Sequence, residues 1–176
     1  MVVATALKLN LGCGKSKMDG YTGVDISPDC GADIVHDLAV FPWPFDDDSV
    51  DEVHASHFLE HIAGPDRMAF MNELWRVLKV DATATIITPH GNSNRAVQDP
   101  THQWPPIVES SYLYFNRKWR EDNFLDHYPI TCNFDFSYGY NIENPWASRA
   151  QEAKDFALRH YLNVAADLHV ILTKRP

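Results

Sequence analysis

The sequence predicts an α/β fold built on a mostly parallel sheet with an antiparallel C-terminal edge. Three observations carry this. Leu7-Lys8-Leu9-Asn10-Leu11 alternates and runs into Gly12-Cys13-Gly14, which is a strand ending in a glycine turn. Gly23-Val24-Asp25-Ile26 follows as a second short strand carrying an acid. Late in the chain, Ile130, Cys132, Phe134, Phe136, Tyr138, Tyr140 and Ile142 alternate with polar residues or glycine. That is the pattern of a long, half-buried antiparallel strand.

The elements follow in order. The first strand is 7–11 and the second 22–26. The crossover 12–21 is about the minimum for joining parallel strands. Asp25 comes eleven residues after Gly14, where dinucleotide folds place their acid about 20 residues on. The first helix is therefore shortened or absent. Residues 33–38 read as a third strand ending at Asp37. Two prolines exclude helix from Phe41-Pro42-Trp43-Pro44-Phe45, and Asp46-Asp47-Asp48-Ser49 is a solvated turn. Residues 50–56 form the fourth strand, and 57–62 turn into a short helix. Gly64-Pro65-Asp66 opens the strongest helix, since proline suits its first turn and Asp66 its positive end. Its apolar face is Met68, Met71, Leu74, Trp75 and Leu78, and residues 80–82 end it. The fifth strand is 83–88. Residues 91–128 read as a lid-like substrate region with a short helix at 109–115. An amphipathic helix at 147–162 groups Ala150, Ala153, Phe156, Ala157, His160 and Tyr161, and a last strand covers 168–173.

Composition bounds the rest. The 176 residues are 45% hydrophobic and 22% charged, which fits one soluble domain, 1–176. The formal net charge is −9, so the surface repels phosphate backbones away from a local basic patch. The one basic run, Arg117-Lys118-Trp119-Arg120, is followed at once by Glu121-Asp122. Residues 1–11 lack a basic start and a long apolar run, and no window approaches the roughly 18 apolar residues of a membrane span. The three cysteines are far apart. A reduced cytoplasmic location is the expectation.

A glycine turn followed by an acid is a Rossmann-like layout that holds an adenosine-containing cofactor. With Asp51-Glu52-Val53-His54-Ala55-Ser56-His57-Phe58-Leu59-Glu60-His61 and Phe70-Met71-Asn72-Glu73-Leu74-Trp75-Arg76-Val77-Leu78-Lys79, the chain resembles the class I S-adenosylmethionine-dependent methyltransferases. It is similar to their small bacterial and phage members. The resemblance covers residues 7 to about 90 and the closing strand. It departs at Ser16, where the family often has a third glycine, and at Asp81-Ala82, where a Gly-Gly turn is common.

The resemblance implies S-adenosylmethionine as cofactor, with S-adenosylhomocysteine as product. It places Asn10, Gly12, Cys13 and Gly14 at the methionine end, and Asp25 on the ribose hydroxyls. Ile26 packs on the adenine, Asp37 and Leu38 meet its edge, and Ser56 and His57 lie at the carboxyl end of the fourth strand. Cys13 reads as a small filler rather than a nucleophile, and Asp37 equally suits a loop cap. His57, His90 and His102 are the candidate bases, although a lone histidine is more often structural. His61 caps or packs its short helix. No metal is assigned. His57, His90, Asp99 and His102 are of the right types for zinc or iron, but their spacing matches no compact ligand motif. Trp104, Tyr112, Tyr114, Phe115 and Trp119 suit a pocket wall or the core of the loop region equally. The expected acceptor is a small molecule, a sugar or a glycan precursor. The alternatives are a nucleic acid or protein acceptor, or a non-catalytic S-adenosylmethionine-binding regulator.

Overall fold

The structure, a computed structural model, describes residues 6–176. The first five residues of the segment expected to lack a leader lie outside the described residues.

Five strands run parallel: β1 (Lys8–Leu11), β2 (Thr22–Asp25), β3 (Ile34–Val35), β4 (Val50–Ser56) and β5 (Leu78–Pro89). Two antiparallel strands, β6 (Phe134–Ile142) and β7 (Ala165–Lys174), extend the sheet beyond β5. The strand order is β3-β2-β1-β4-β5-β7-β6. The helices are α1 (Gly64–Val77), α2 (Arg95–Gln98), α3 (Arg117–Asp122) and α4 (Gln151–His160). The short helices expected at 57–62 and 109–115 are 3₁₀ turns, Leu59–His61 and Glu109–Phe115.

No helix bridges β1 and β2, so of the two outcomes expected there, shortened or absent, the helix is absent. Asn10 fixes that bare crossover to the sheet. Its Oδ1 accepts the Met18 N–H (3.0 Å) and its Nδ2 donates to the His54 carbonyl (3.4 Å).

One face of the sheet forms the core. Leu9, Leu11, Val53, Ala55, Ala84, Ile86, Leu168, Val170 and Leu172 are buried there. Phe70, Met71, Leu74 and Val77 of α1 join the same cluster, with Tyr112 and Phe115 from the second turn. Each valine, leucine, isoleucine, methionine or phenylalanine among them contributes about 1.5–3 kcal/mol on burial. The alternate residues Lys8, Glu52, His54, Thr85 and Ile171 point the other way and stay half-buried or exposed. Lys8 there pairs with Glu52 at 2.6 Å. The enzyme-like parallel sheet is thus covered on one side only, among the described residues.

Several features differ from the sequence reading, and three have a clear physical reason. Helix α1 stops at Val77, before residues 80–82, because Leu78 pairs with Val50 and its carbonyl takes the buried Lys174 ammonium at 2.7 Å. Strand β3 keeps only the two residues that pair with β2. Helix α4 buries only Ala157, leaving Phe156 and Tyr161 exposed, because it sits at the periphery rather than across the core.

Candidate active site

The carboxyl ends of β1, β2 and β4 surround a cavity of about 400 Å³. Gly12, Asp25, Ile26, Asp37, Leu38 and His57 line it, so six sequence-predicted residues converge. The turn at its base depends on glycine. Gly12 has φ +60°, and a Cβ there would lie 2.5 Å from Cγ of Phe58. Gly14 shares the left-handed conformation but faces open space.

Asp25 ends β2 and is held by its own neighbours. Its Oδ2 accepts the Gly14 N–H (2.8 Å) and its Oδ1 the Ser27 N–H (3.0 Å). Each carboxylate oxygen has two acceptor sites, so one on each remains for a ligand hydroxyl. Asp37 caps the Ala39 N–H (2.9 Å) while lining the cavity. Leu38 is kept in place because its carbonyl accepts the Trp43 indole N–H (3.1 Å).

Four expected residues stand back from the cavity. Asn10 pins the crossover. Ser56 lies within the β4 ladder opposite Ile87. Cys13 and Gly14 shape the turn without lining the cavity. Burial, with Cys30 and Asp25 nearby, pushes the Cys13 thiol up to about 11, so it stays protonated and inert at neutral pH. Sequence reasoning missed His36, Ala39, Phe58, His61 and Ile62 as lining residues.

The candidate bases separate. His57 alone faces the cavity, in a left-handed conformation (φ 53°) at the end of β4, a type of strain that concentrates at functional sites. Its Nδ1 lies 3.4 Å from Glu60 Oε1 and its Nε2 3.9 Å from Asp167 Oδ1. Asp167 is buried and also holds Arg95 at 2.7 Å. His90 lines a different, polar cavity of about 470 Å³ with Glu109, Tyr138, Tyr140 and Arg159. Its Nδ1 accepts the Asn92 N–H, so its Nε2–H donates to Glu109 (3.2 Å). His102 is mostly buried and donates from Nδ1 to the Ala96 carbonyl (3.2 Å).

Residues 9–86, from β1 into β5, match the family described as a methyltransferase domain. Over that stretch, 78 of the 176 residues, the chain carries a methyltransferase domain. The fold of this methyltransferase is similar to that of an S-adenosylmethionine-dependent methyltransferase from Archaeoglobus fulgidus, at 19% identity and TM-score 0.67, covering 97% of this chain and 87% of that one. It is also similar to a Haloferax volcanii protein solved in complex with the Trm112 methyltransferase activator (17%, TM-score 0.60, covering 98% and 83%). A third is geranyl diphosphate C-methyltransferase from Streptomyces coelicolor A3(2), solved with Mg²⁺, geranyl diphosphate and S-adenosylhomocysteine (14%, TM-score 0.55, covering 97% and 72%). No curated protein matches the chain by sequence. Among the described residues no helix is long and apolar enough to cross a membrane.

The aromatic residues of the loop region also find their place in the methyltransferase. Trp104, Tyr112, Tyr114 and Phe115 line an apolar cavity of about 520 Å³ beside the start of α1, while Trp119 packs edge-on against Tyr114. The Leu59–His61 turn divides this cavity from the glycine-turn cavity, with Leu59 lining one and His61 the other.

Proposed function

We propose that the glycine-turn cavity holds S-adenosylmethionine and that the enzyme methylates a small polar acceptor, a sugar or a glycan precursor. Asp25 accepts the ribose hydroxyls on its two free acceptor sites. Ile26 and Leu38 pack on the adenine, Asp37 meets its edge, and Gly12 flanks the methionine end. The bound cofactor supplies a sulfonium methyl group that is displaced in line. His57 takes the acceptor proton, with Glu60 Oε1 lying 3.4 Å from its Nδ1 and Asp167 Oδ1 3.9 Å from its Nε2. Positioning and one general base are the contributions such a displacement needs from a protein.

The observation that carries the acceptor class is the polar cavity of about 470 Å³ that contains His90, Glu109, Tyr140 and Arg159. Its size suits a drug-sized ligand, and its groups hydrogen-bond hydroxyls. We read 91–128 as the acceptor-side wall of one domain. The basic run speaks against nucleic acid. Arg120 is buried and spends its donors on the carbonyls of Tyr114, Ile130 and Cys132. Lys118 pairs with Asp122 and Arg117 donates to the Pro176 carbonyl. Three free cysteines, two of them buried, fit a reducing cytoplasm.

Calorimetry with S-adenosylhomocysteine tests the cofactor site. One ligand per chain is expected, and Asp25→Ala should weaken it about 10–100-fold, the effect of stranding hydrogen-bonding partners by roughly 1–3 kcal/mol. Unchanged affinity overturns the Asp25 role. A methyl-transfer screen of sugars and nucleotide sugars tests the acceptor, and turnover on RNA or protein alone overturns that class.

A further inference from the structure

We propose that Glu60, His61 and His102 bind one divalent transition-metal ion at the rim of the glycine-turn cavity. Each residue places a ligand atom within 4.8 Å of the other two. The turn Leu59–His61 supplies two of them, and His102 arrives from the loop region.

Glu60 calls for a cation. It is only 5% exposed, and both of its carboxylate oxygens are buried without a hydrogen-bond partner. A buried carboxylate in that state is costly by itself. The nearby Arg67 does not relieve it. Its guanidinium donates to the backbone carbonyls of Ile62, Pro105, Gln103 and Glu60 itself, never to the carboxylate. His57 Nδ1, at 3.4 Å, lies too far for good hydrogen-bond geometry.

The hydrogen-bond network then fixes both histidine tautomers. A carbonyl only accepts, so His102 Nδ1 carries the proton it gives to Ala96, and Nε2 is left with a lone pair. Thr101 has one hydroxyl proton and gives it to Asp99 Oδ1 at 2.7 Å. His61 Nδ1, 3.1 Å from the same hydroxyl, must therefore donate, which leaves its Nε2 unprotonated as well. The two rings lie 4.9 Å apart, edge to face. One carboxylate and two imidazoles, each with an unprotonated Nε2, thus belong to one cluster. Two histidines and one carboxylate are a donor set for zinc or iron(II), and they exclude the all-oxygen sites that calcium and magnesium prefer. Orienting acceptors on the far nitrogens, here Ala96 and Thr101, are what metal-bound histidines carry. Asp99 Oδ2, 3.8 Å from His102 Nε2, stands near as a further oxygen. His61 also lines the glycine-turn cavity, so the ion would sit at its rim; the metal site does not depend on the methyl-transfer reading.

The test is zinc and manganese titration into chelator-treated protein, read by calorimetry and by metal content after dialysis. One ion per chain is expected, weakened at least tenfold by Glu60→Gln and by His102→Gln, with circular dichroism confirming that both variants fold. In the unmutated protein, ¹⁵N shifts of the His61 and His102 Nε2 atoms should move on zinc addition. Asp25→Ala should keep the ion while losing S-adenosylhomocysteine, so the two sites fail separately. No stoichiometric binding, unchanged affinity in both variants, or unmoved Nε2 shifts would each overturn the proposal.

Discussion

Replacing Gly12 by alanine should damage the enzyme far more than the same change at Gly14. Both residues have positive φ, +60° and +50°, so an added Cβ costs about 1–2 kcal/mol at either through left-handed backbone strain. They differ in what the Cβ meets. At Gly14 nothing lies within 4 Å. At Gly12 it meets the Phe58 side chain, 2.5 Å from Cγ and 2.8 Å from Cβ. Phe58 is wedged against Phe70 (ring centroids 5.9 Å apart), which is fully buried. Displacing a packed side chain adds roughly 1–3 kcal/mol, for a total of about 2–5 kcal/mol at Gly12. For a chain of this size a kilocalorie lowers Tm by roughly 2–4 °C, and differential scanning calorimetry resolves the two variants. Phe58 also lines the glycine-turn cavity, so Gly12→Ala should weaken S-adenosylhomocysteine binding about tenfold or more by titration calorimetry. Equal losses of stability at the two glycines would refute the steric argument.

Four further outcomes are expected. Tyr112→Phe removes a buried hydroxyl with no partner, so urea unfolding should show a neutral or stabilising change, up to about 1 kcal/mol. His54 is held below the usual histidine range by burial, against the pull of Glu52 and with a smaller push from His169. The unfolded chain then binds the proton more readily, so stability is complete above about pH 6.5 and falls as pH drops toward the folded value. His54→Gln should flatten the stability–pH curve in that window. Burial pushes the Cys13 and Cys132 thiols up to about 11 and about 12, so iodoacetamide at pH 8 should label native protein at Cys30 alone, as mass spectrometry would show. His57→Ala should lower kcat by about 10²–10⁴ while S-adenosylhomocysteine still binds.

Much of the fold was legible because its signals are local. The distance from Gly14 to Asp25 left a first helix shortened or absent, and the late alternation from Ile130 to Ile142 gave the antiparallel edge. The alternation in Leu9-Asn10-Leu11 and Val53-His54-Ala55 also encoded the bare sheet face, a signal easily overlooked because parallel strands are normally buried on both sides. The end of α1 misled because Leu74 and Leu78 are four residues apart and mimic one more helical turn. Two partners distant in sequence, Val50 in β4 and Lys174, 96 residues on from Leu78, hold Leu78 in the sheet. The site divides the same way. Gly12, Asp25 and Asp37 sit at strand ends that the sequence marks. Asp167, Arg95 and the unpartnered Glu60 matter through contacts that only the folded chain creates, and the three candidate histidines look alike until folding sends them to different places.

The helix-free crossover also decides which ligand charge the glycine turn favours. A helix beginning there would point the positive end of its dipole at the site and welcome a pyrophosphate. Here the Gly14 and Ser27 amides are spent on Asp25, and the acids of the cavity are Asp25 and Asp37. Positive potential is absorbed by the protein's own carboxylate, and what remains at the cavity is acidic. A doubly anionic linker loses in such a field, whereas a sulfonium gains. On the proposed reading of this cavity, omitting one helix acts as an electrostatic filter, turning a generic nucleoside pocket toward a cationic methyl donor.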